Sequence, residues 1–395
     1  MQTNDPSQQP PQFSLVLGGP LYHLYRRTRL AKDDLELLPR RIVVAALITW
    51  LPLLLLSLVD GSAFGGAMKI PFLYDIEAHV RFLIALPVLI AGELVVHRRI
   101  SPMIRRFVDR RIVVAEDLPA FNASVEQALR VRNSVAVEVA QLVLVYTLGL
   151  WIWRTQIATG VATWYGMRDV AGYHFTPAGY WFAFVSIPLF QFILLRWYVR
   201  IGLWFWLLWR ISRLNLHLTA AHPDRAGGIG FLGGSGYAFA PIVFAQGTLL
   251  SGVIASRVLY EGQNLMSFKM DAGGFIAFFV LFILGPLTMF SPQMDRAHRK
   301  GKAAYAALAN RYVFGFEDKW LRAGADDSEL LGAADIQSLA DLGNSYSVVN
   351  DMRVVPFSIH NVVQLAATAA APLVPLMLTM FSLEEVLTRL FKVVL

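Results

Sequence analysis

IVVAALITWLPLLLLSLV, residues Ile42–Val59, is a run of 18 residues without a charged side chain. A helix of about 20 apolar residues is long enough to cross the hydrocarbon core of a bilayer, which is about 30 Å thick. Apolar and polar residues do not alternate along the run, which argues against a strand of an outer-membrane barrel. A helix satisfies its backbone amides and carbonyls internally, as the water-free hydrocarbon requires. The run therefore predicts a membrane-spanning helix.

Further stretches of similar length are almost free of charge. They are Phe82–Val96, Ser134–Trp153, Ala178–Leu195, Ala238–Ser256, Gly274–Phe290 and Val362–Phe381. The composition agrees, because 56% of the residues are hydrophobic and 16% are charged, against about 45–50% and about 25% in soluble domains. We therefore predict an all-α fold, a polytopic membrane bundle of about seven transmembrane helices with cytoplasmic helical insertions.

The net charge of +7 is concentrated in alternate connections. Lys and Arg cluster in residues 26–41, 98–132, 210–225 and 296–353, and the intervening connections hold one or two each. Cytoplasmic loops carry such an excess of positive charge. The pattern predicts a cytoplasmic N-terminus and, with seven spans, a periplasmic C-terminus. Basic loops at a membrane surface bind anionic lipid headgroups, so the predicted partner is the bilayer and not nucleic acid.

The domain organisation follows from the same pattern. Residues 1–40 form a cytoplasmic arm, of which 1–20 are rich in Gln, Pro and Ser and predicted to be disordered. Residues 41–292 form a membrane domain with six spans and a cytoplasmic helical connection at 97–133. Residues 293–361 form a cytoplasmic insertion with helices near 301–314 and 328–345, and 362–395 form the seventh span and an amphipathic helix. The insertion offers a surface for a protein partner or a homo-oligomer.

The fourth span does not end cleanly. Arg196, Arg200 and Arg210 follow it on one helical face, interleaved with tryptophans. We interpret this as a helix leaving the bilayer with its arginines extended to phosphates. In the alternative interpretation residues 197–209 form an eighth span, which would reverse every later segment and break the charge asymmetry.

The segment HPDRAGGIGFLGGSGY, residues 222–237, places six glycines directly before the fifth span. Glycine permits positive φ and close backbone approach, so four interpretations stay open. The amides can form an anion nest, with the residues Arg225, Gly227, Gly228, Gly230, Gly233 and Gly234. The segment can line a pore, or His222 and Asp224 can act as an acid–base pair beside Arg225. In the fourth, it is a tight turn in which Asp224 pairs with Arg225 or caps an amide.

No metal or cofactor is predicted. The chain has no cysteine, which excludes disulfides, iron–sulfur clusters and thiolate metal sites. His217, His222 and Asp224 have no spacing diagnostic of a metal site.

Polar residues inside the predicted spans are the second group of candidates. Glu93 and Glu138 lie near the cytoplasmic ends of their spans, where they can pair with Arg98, Arg99 or Arg132 or line a proton or cation path. Gln141 and Gln246 can form hydrogen bonds between helices.

The glycine-rich string His222–Gly234, together with Asp335–Ser345 and the string MRVVPF at residues 352–357, resembles an uncharacterised family of bacterial polytopic inner-membrane proteins. The resemblance extends over most of the chain after Pro39. It implies residence in the inner membrane and no particular activity.

These observations favour a channel or transporter for a small solute or ion, because proline-bearing spans and a glycine-rich break beside a span are typical of transporters. One alternative is a membrane-bound enzyme acting on a lipid or phosphorylated substrate at the cytoplasmic face. The other is a sensor, scaffold or assembly partner that uses residues 293–361.

Overall fold

The computed structural model describes residues 13–28, 37–65, 70–149, 151, 163–169, 172–322 and 334–380. Within these ranges the chain is almost entirely helical. The exception is a two-stranded antiparallel hairpin in which β1 (Gly166–Asp169) pairs with β2 (Gly172–Phe175). The predicted all-α class is confirmed.

The helices are defined here in chain order. They are α1 (Pro20–Arg27), α2 (Leu38–Val59), α3 (Ile76–Asp109), α4 (Ala115–Arg132), α5 (Val135–Gly149), α6 (Pro177–Ile211), α7 (Gly230–Glu261), α8 (Leu265–Arg322), α9 (Ala334–Asn350) and α10 (Ile359–Leu378).

The helices α2, α3, α6, α7, α8 and α10 are long and apolar enough to cross a membrane, which makes six candidates among the described residues. A seventh arises if α4 and α5, which meet at a bend of 47°, count as one span. Each of the seven predicted apolar stretches has most of its described residues in one of these helices, the third of them in α5. The sequence therefore located the apolar helices correctly. The helix of the third stretch, α5, is of marginal length for a span.

Three helices form the centre of the bundle. The apolar windows of α3, α6 and α7 are 44%, 50% and 56% buried, against 17–28% in α2, α8 and α10. Apolar side chains from all three central helices join one hydrophobic core. Groups that α3 and α6 direct inward therefore lie away from the surface of the protein.

Two of the central helices change their winding at a proline. A π-helical segment at Val80–Ala85 precedes Pro87 in α3, and another at Phe182–Ser186 precedes Pro188 in α6. Proline has no N–H to donate and its ring clashes with the carbonyl four residues earlier. The wider π turn accommodates both effects.

The alternative in which residues 197–209 form an eighth span is wrong. They continue α6, a single helix of 35 residues, which is about 50 Å long at 1.5 Å per residue. The interpretation of its arginines needs correction too. Arg196 and Arg200 are buried inside the protein, 7% and 4% exposed, and only Arg210 reaches the surface.

The predicted disorder of residues 1–20 is wrong for residues 13–20. Phe13, Leu15 and Val16 are each 1% exposed and belong to the core, and the ring of Phe13 lies 6.5 Å from that of Trp204. The polar composition of the arm hid this short apolar run. Residues 1–12 lie outside the described residues.

The region 293–361 contains a pair of packed helices. The end of α8 lies against α9, where Lys319 pairs with Asp335 at 2.6 Å and the Tyr312 hydroxyl donates to the Asp335 carbonyl. The helix predicted near 301–314 lies within α8. Of the helix predicted near 328–345, residues 334–345 lie in α9 and residues 328–333 are outside the described residues. The amphipathic helix predicted at the C-terminus lies outside the described residues.

The end of the bundle at which α3 and α6 begin is filled by aromatic side chains. Phe72 and Trp164 are fully buried with their rings 4.9 Å apart, and the rings of Trp164 and Phe182 meet edge to face at 5.0 Å. The indole N–H of Trp164 donates to Asp75, whose other carboxylate oxygen caps the short helical turn at Ala78.

Candidate functional site

The glycine-rich segment wraps around the carboxylate of Asp224. One oxygen of Asp224 accepts from the amides of Ala226 and Gly228, at 2.8 and 3.1 Å, and the other accepts from Gly230 at 2.9 Å. Positive φ angles at Gly227 (69°) and Gly228 (97°) let the chain curl in this way. These amides form a nest, and the protein's own aspartate occupies it.

The electrostatics of Asp224 follow from these bonds. Burial alone would raise its pKa, but the three amides and His222, whose Nδ1 lies 2.9 Å away, lower it below the ordinary value. A carboxylate with a lowered pKa is a weak general base at neutral pH. The geometry thus matches the interpretation in which Asp224 caps backbone amides.

The chain after α9 fastens the glycine-rich segment in place. Arg353 donates from Nη2 to the Asp224 carbonyl at 2.9 Å, and its amide donates to the Arg225 carbonyl at 2.8 Å. The Arg225 side chain pairs with Asp351 at 3.4 Å. A Cβ at Gly233 would lie 2.8 Å from Asn361 Oδ1, which explains a glycine there. Gly234, the last glycine of the predicted nest, belongs to the 3₁₀ turn that opens α7.

A second set of polar groups lies inside the bundle, which we call the arginine cluster: Arg41, Glu93, Arg132, Glu138, Arg196 and Arg200. Glu93 of α3 bridges two helices, with Oε2 at 2.6 Å from Arg41 Nη1 of α2 and Oε1 at 2.9 Å from Arg200 Nη1 of α6. The side chains of these three residues are 3–11% exposed. Such pairs keep ionised groups tolerable in an apolar interior.

Glu138 of α5 completes the cluster beside Arg196 of α6. Its Oε1 lies 3.4 Å from Arg196 Nη2, and its Oε2 accepts from the Leu21 amide at 2.9 Å. Arg196 and Arg200 are one helical turn apart, so α6 presents both to the two glutamates. Arg132, at the end of α4, donates to the Ser14 carbonyl.

The predicted partners of the two glutamates were wrong. Glu93 does not pair with Arg98 or Arg99, which are exposed; five and six residues further along the helix they point to another face. Glu138 lies near Arg132 but forms its ion pair with Arg196.

Residues 13–21, which we call the N-terminal segment, lie across the cluster. Besides the bonds to Arg132 and Glu138, the Gly18 carbonyl accepts from Arg196 at 3.4 Å, and the Ser14 hydroxyl lies 2.9 Å from His97 Nδ1. Gly18 and Gly19 have φ of 139° and 88°. A Cβ at Gly19 would lie 2.9 Å from Glu138 Oε1, so only glycine fits there.

The cluster holds more positive than negative charge. Four guanidinium groups face two carboxylates, which leaves a formal surplus of two positive charges. Two nitrogens of Arg41, Nε and Nη2, are buried without a hydrogen-bond partner among the described residues. Unpaired charge in a low-dielectric interior is costly. An anion near these arginines would lower that cost.

A small cavity adjoins the cluster. It is bordered by Arg132, Glu138, Gln141, Arg196 and Arg200 together with apolar side chains, and its volume is about 20 Å³. That is room for one species of about the size of a water molecule. Gln141 is 5% exposed, and its Oε1 has no partner within the described residues; rotation of the amide would present N–H instead.

Tyr25 of α1 borders the cluster from the side of the N-terminal segment. Its ring lies 5.4 Å from the guanidinium carbon of Arg41, a cation–π contact. Burial, followed by the charge of Glu93, raises the pKa of Tyr25 to about 12. The phenol is therefore neutral at physiological pH and does not offset the surplus positive charge.

Sequence reasoning found part of this site. It selected Glu93, Glu138 and Gln141, which the structure brings together, and Gln246, which lies on α7 with a buried, unbonded Nε2. It missed Arg41, which it counted as a loop charge, and the Gly18-Gly19 pair. The i, i+4 spacing of Arg196 and Arg200 on an apolar helix was the available signal.

Comparisons of the chain with protein-family models, with curated proteins and with solved structures give no match.

Proposed function

We propose that this chain is a polytopic protein of the bacterial inner membrane that carries a small inorganic anion of about halide size across the bilayer. The arginine cluster is the proposed binding site. The observation that carries the proposal is the surplus of two positive charges, buried between helices long enough to span a membrane. Ionisable groups at such depth are costly and mark ligand or ion pathways.

The membrane placement rests on the apolar helices and on the distribution of Lys and Arg. Seven spans, with α4 and α5 forming one, put the N-terminus in the cytoplasm and the C-terminus in the periplasm. The resemblance of residues 222–234 and 352–357 to an inner-membrane family supports this location. The location itself stays a prediction.

The N-terminal segment is the proposed gate. It covers the cytoplasmic side of the cluster and bonds to Arg132, Glu138 and Arg196. An anion that enters from the cytoplasm has to displace these contacts, and it would replace the backbone carbonyls of Ser14 and Gly18 as the acceptor of the arginine N–H groups. The proposed mechanism is thus an exchange of carbonyl acceptors for an anion.

The test is chloride efflux from proteoliposomes. Purified protein is reconstituted into vesicles loaded with KCl, valinomycin balances the charge, and an electrode records released chloride. The wild-type protein is expected to release chloride well above protein-free vesicles. Arg196→Gln, which removes one cluster cation, should lower the initial rate about tenfold, which is the effect of about 1.4 kcal/mol.

Arg210→Gln is the matched control, because Arg210 lies on the same helix but is exposed. It should match the wild type. Wild-type efflux no faster than protein-free vesicles would refute anion transport. Equal rates for Arg196→Gln and wild type would remove the cluster from the pathway.

The alternative of an enzyme at the glycine-rich segment has less support, because three amides and His222 already contact the Asp224 carboxylate. It predicts that Asp224→Asn abolishes turnover of a lipid or phosphorylated substrate. Unchanged turnover in the variant would eliminate it. The use of 293–361 as a partner surface stays a prediction.

A further inference from the structure

A wide cleft opens where α6 and α8 leave their apolar stretches. Residues 212–218, directly after α6, form one wall, and residues 288–300 of α8 form the other. The cleft volume is about 740 Å³, within the range of about 300–1,000 Å³ of small-molecule sites. It is separate from the arginine cluster, since the two share no lining residue.

The side chains that line the cleft are basic or neutral. Arg213 and His217 come from the first wall and Arg296 and Lys300 from the second, and none of the lining residues is acidic. Of the neighbouring carboxylates, Asp295 pairs with Arg299 at 2.7 Å, and Asp117, which is outside the lining, accepts from the Asn215 amide at 2.7 Å. The cleft therefore presents uncompensated positive charge to an incoming ligand.

Gln293 fixes the geometry of the cleft. Its side-chain nitrogen donates to the carbonyls of Ser212 and Leu214, at 2.7 and 2.8 Å, and so ties the first wall to α8. Arg296 and Lys300 follow it at i+3 and i+7 on the same face of α8. The basic groups are thus held on two walls whose spacing is set by direct hydrogen bonds.

The cleft also has the features of a bilayer boundary. Trp209 lies at its edge, 40% exposed, with the guanidinium of Arg213 5.5 Å from its ring centre. Arg210 lies over Trp206 in the same way, at 5.9 Å. Tryptophan and arginine are enriched at the level of lipid headgroups, where phosphate groups are abundant.

We propose that this cleft binds a phosphate group, carried either by an anionic phospholipid or by a soluble phosphorylated compound at the membrane surface. Arg213 and Arg296 supply planar forks that match phosphate oxygens, and Lys300 supplies a point charge. The proposal uses the membrane placement given above but does not depend on anion transport.

The test measures thermal stability of the full chain in a neutral detergent. One arm adds phosphatidylglycerol, with phosphatidylcholine as the zwitterionic reference. The other adds inorganic phosphate, with gluconate at equal ionic strength. Ligands that bind only the folded protein raise Tm with concentration. Phosphatidylglycerol, phosphate or both should raise the Tm of the wild type beyond its reference.

The variant Arg296→Gln/Lys300→Gln should weaken the apparent affinity at least tenfold, because two charge-assisted contacts are lost. Both residues are exposed, so its unliganded Tm should match the wild type. Lys302→Gln, on the same helix but outside the cleft lining, is the control and should keep wild-type affinity.

A rise in Tm with phosphatidylglycerol but not with inorganic phosphate would identify the ligand as a lipid. A rise in Tm with inorganic phosphate would identify it as a soluble phosphorylated compound. Equal protection of wild type and double variant would overturn the proposal. So would the absence of protection in both arms. Neither outcome bears on chloride efflux through the arginine cluster.

Discussion

At the scale of single residues, two carboxylates organise the protein in different ways. The carboxylate of Asp224 is held by amides of its own loop, so its hydrogen bonds join residues that are close in sequence. Glu93 is held by Arg41 and Arg200, which are 52 and 107 residues away in sequence. Capping of amides by Asp224 was therefore among the interpretations that local pattern offered, whereas the partners of Glu93 depend on how three helices pack.

Replacing Glu93 by Gln should destabilise the protein strongly. The variant leaves Arg41 and Arg200 buried without their shared carboxylate, and breaking a buried pair costs about 3–5 kcal/mol. Denaturant unfolding in detergent would measure this. Glu126→Gln, at an exposed position of α4, should cost under about 0.5 kcal/mol, and a Glu93→Gln cost as small as that would show that the pair is not structural.

The Asp224 loop should be sensitive to acid. Its folded pKa lies below the unfolded value, so the carboxylate stabilises the loop above the unfolded pKa of about 3.9, and this contribution is lost as pH falls through the folded pKa. Because pH 7 and pH 5 both lie above that pKa, hydrogen exchange of the Ala226, Gly228 and Gly230 amides should show the same protection at both.

In Asp224→Asn the same amides should exchange at least tenfold faster at pH 7, since a hydrogen bond to a charged group contributes about 1.5–3 kcal/mol. Asp341→Asn, on α9, should leave them unchanged. Equal protection in wild type and Asp224→Asn would mean that the carboxylate does not hold the loop.

At the scale of elements, the sequence predicted the apolar helices correctly but did not predict the burial of the N-terminal segment. Apolar runs located α2, α3, α6, α7, α8 and α10 because length and lack of charge alone decide them. The N-terminal segment has only three apolar side chains, Phe13, Leu15 and Val16, so its burial depends on tertiary contacts. For the same reason its glycine pair carried no signal in the sequence.

Gly19→Ala should release the N-terminal segment. The new methyl group would meet Glu138. The alanine backbone would also have to adopt φ 88° and ψ 164°, a conformation essentially restricted to glycine that costs about 1–3 kcal/mol. Limited proteolysis should cut faster within residues 13–36, and chloride efflux should rise if the segment is the gate. Gly65→Ala, where a Cβ meets open space, is the control; unchanged proteolysis and efflux in Gly19→Ala would refute gating.

At the scale of the whole molecule, the number of spans decides the orientation of the ends. The sequence predicted seven, and the structure contains six apolar helices plus the bent pair α4–α5 among its described residues. Hydropathy could not settle this pair, because α5 is short and α4 carries basic residues. Which helices enclose the cluster also could not be predicted, since helix neighbours are set by packing rather than by local pattern.

Reporter fusions test the orientation. With seven spans, a fluorescent protein at the N-terminus should be active in the cytoplasm, and alkaline phosphatase should be active at the C-terminus in the periplasm. A fusion at Lys302, in the basic region of α8, should report the cytoplasm. Both ends on the same side would mean that α4–α5 does not cross the membrane.

Halide-dependent stability of the purified protein tests most directly whether buried arginines bind an anion. Tm is measured in chloride and in gluconate, which is too large for a 20 Å³ cavity, at equal ionic strength. Wild type and Arg210→Gln should melt at higher temperature in chloride, with the difference growing with concentration, and Arg196→Gln should lose it. The same Tm for the wild type in both salts, or the same chloride effect in Arg196→Gln, would contradict anion binding at the cluster.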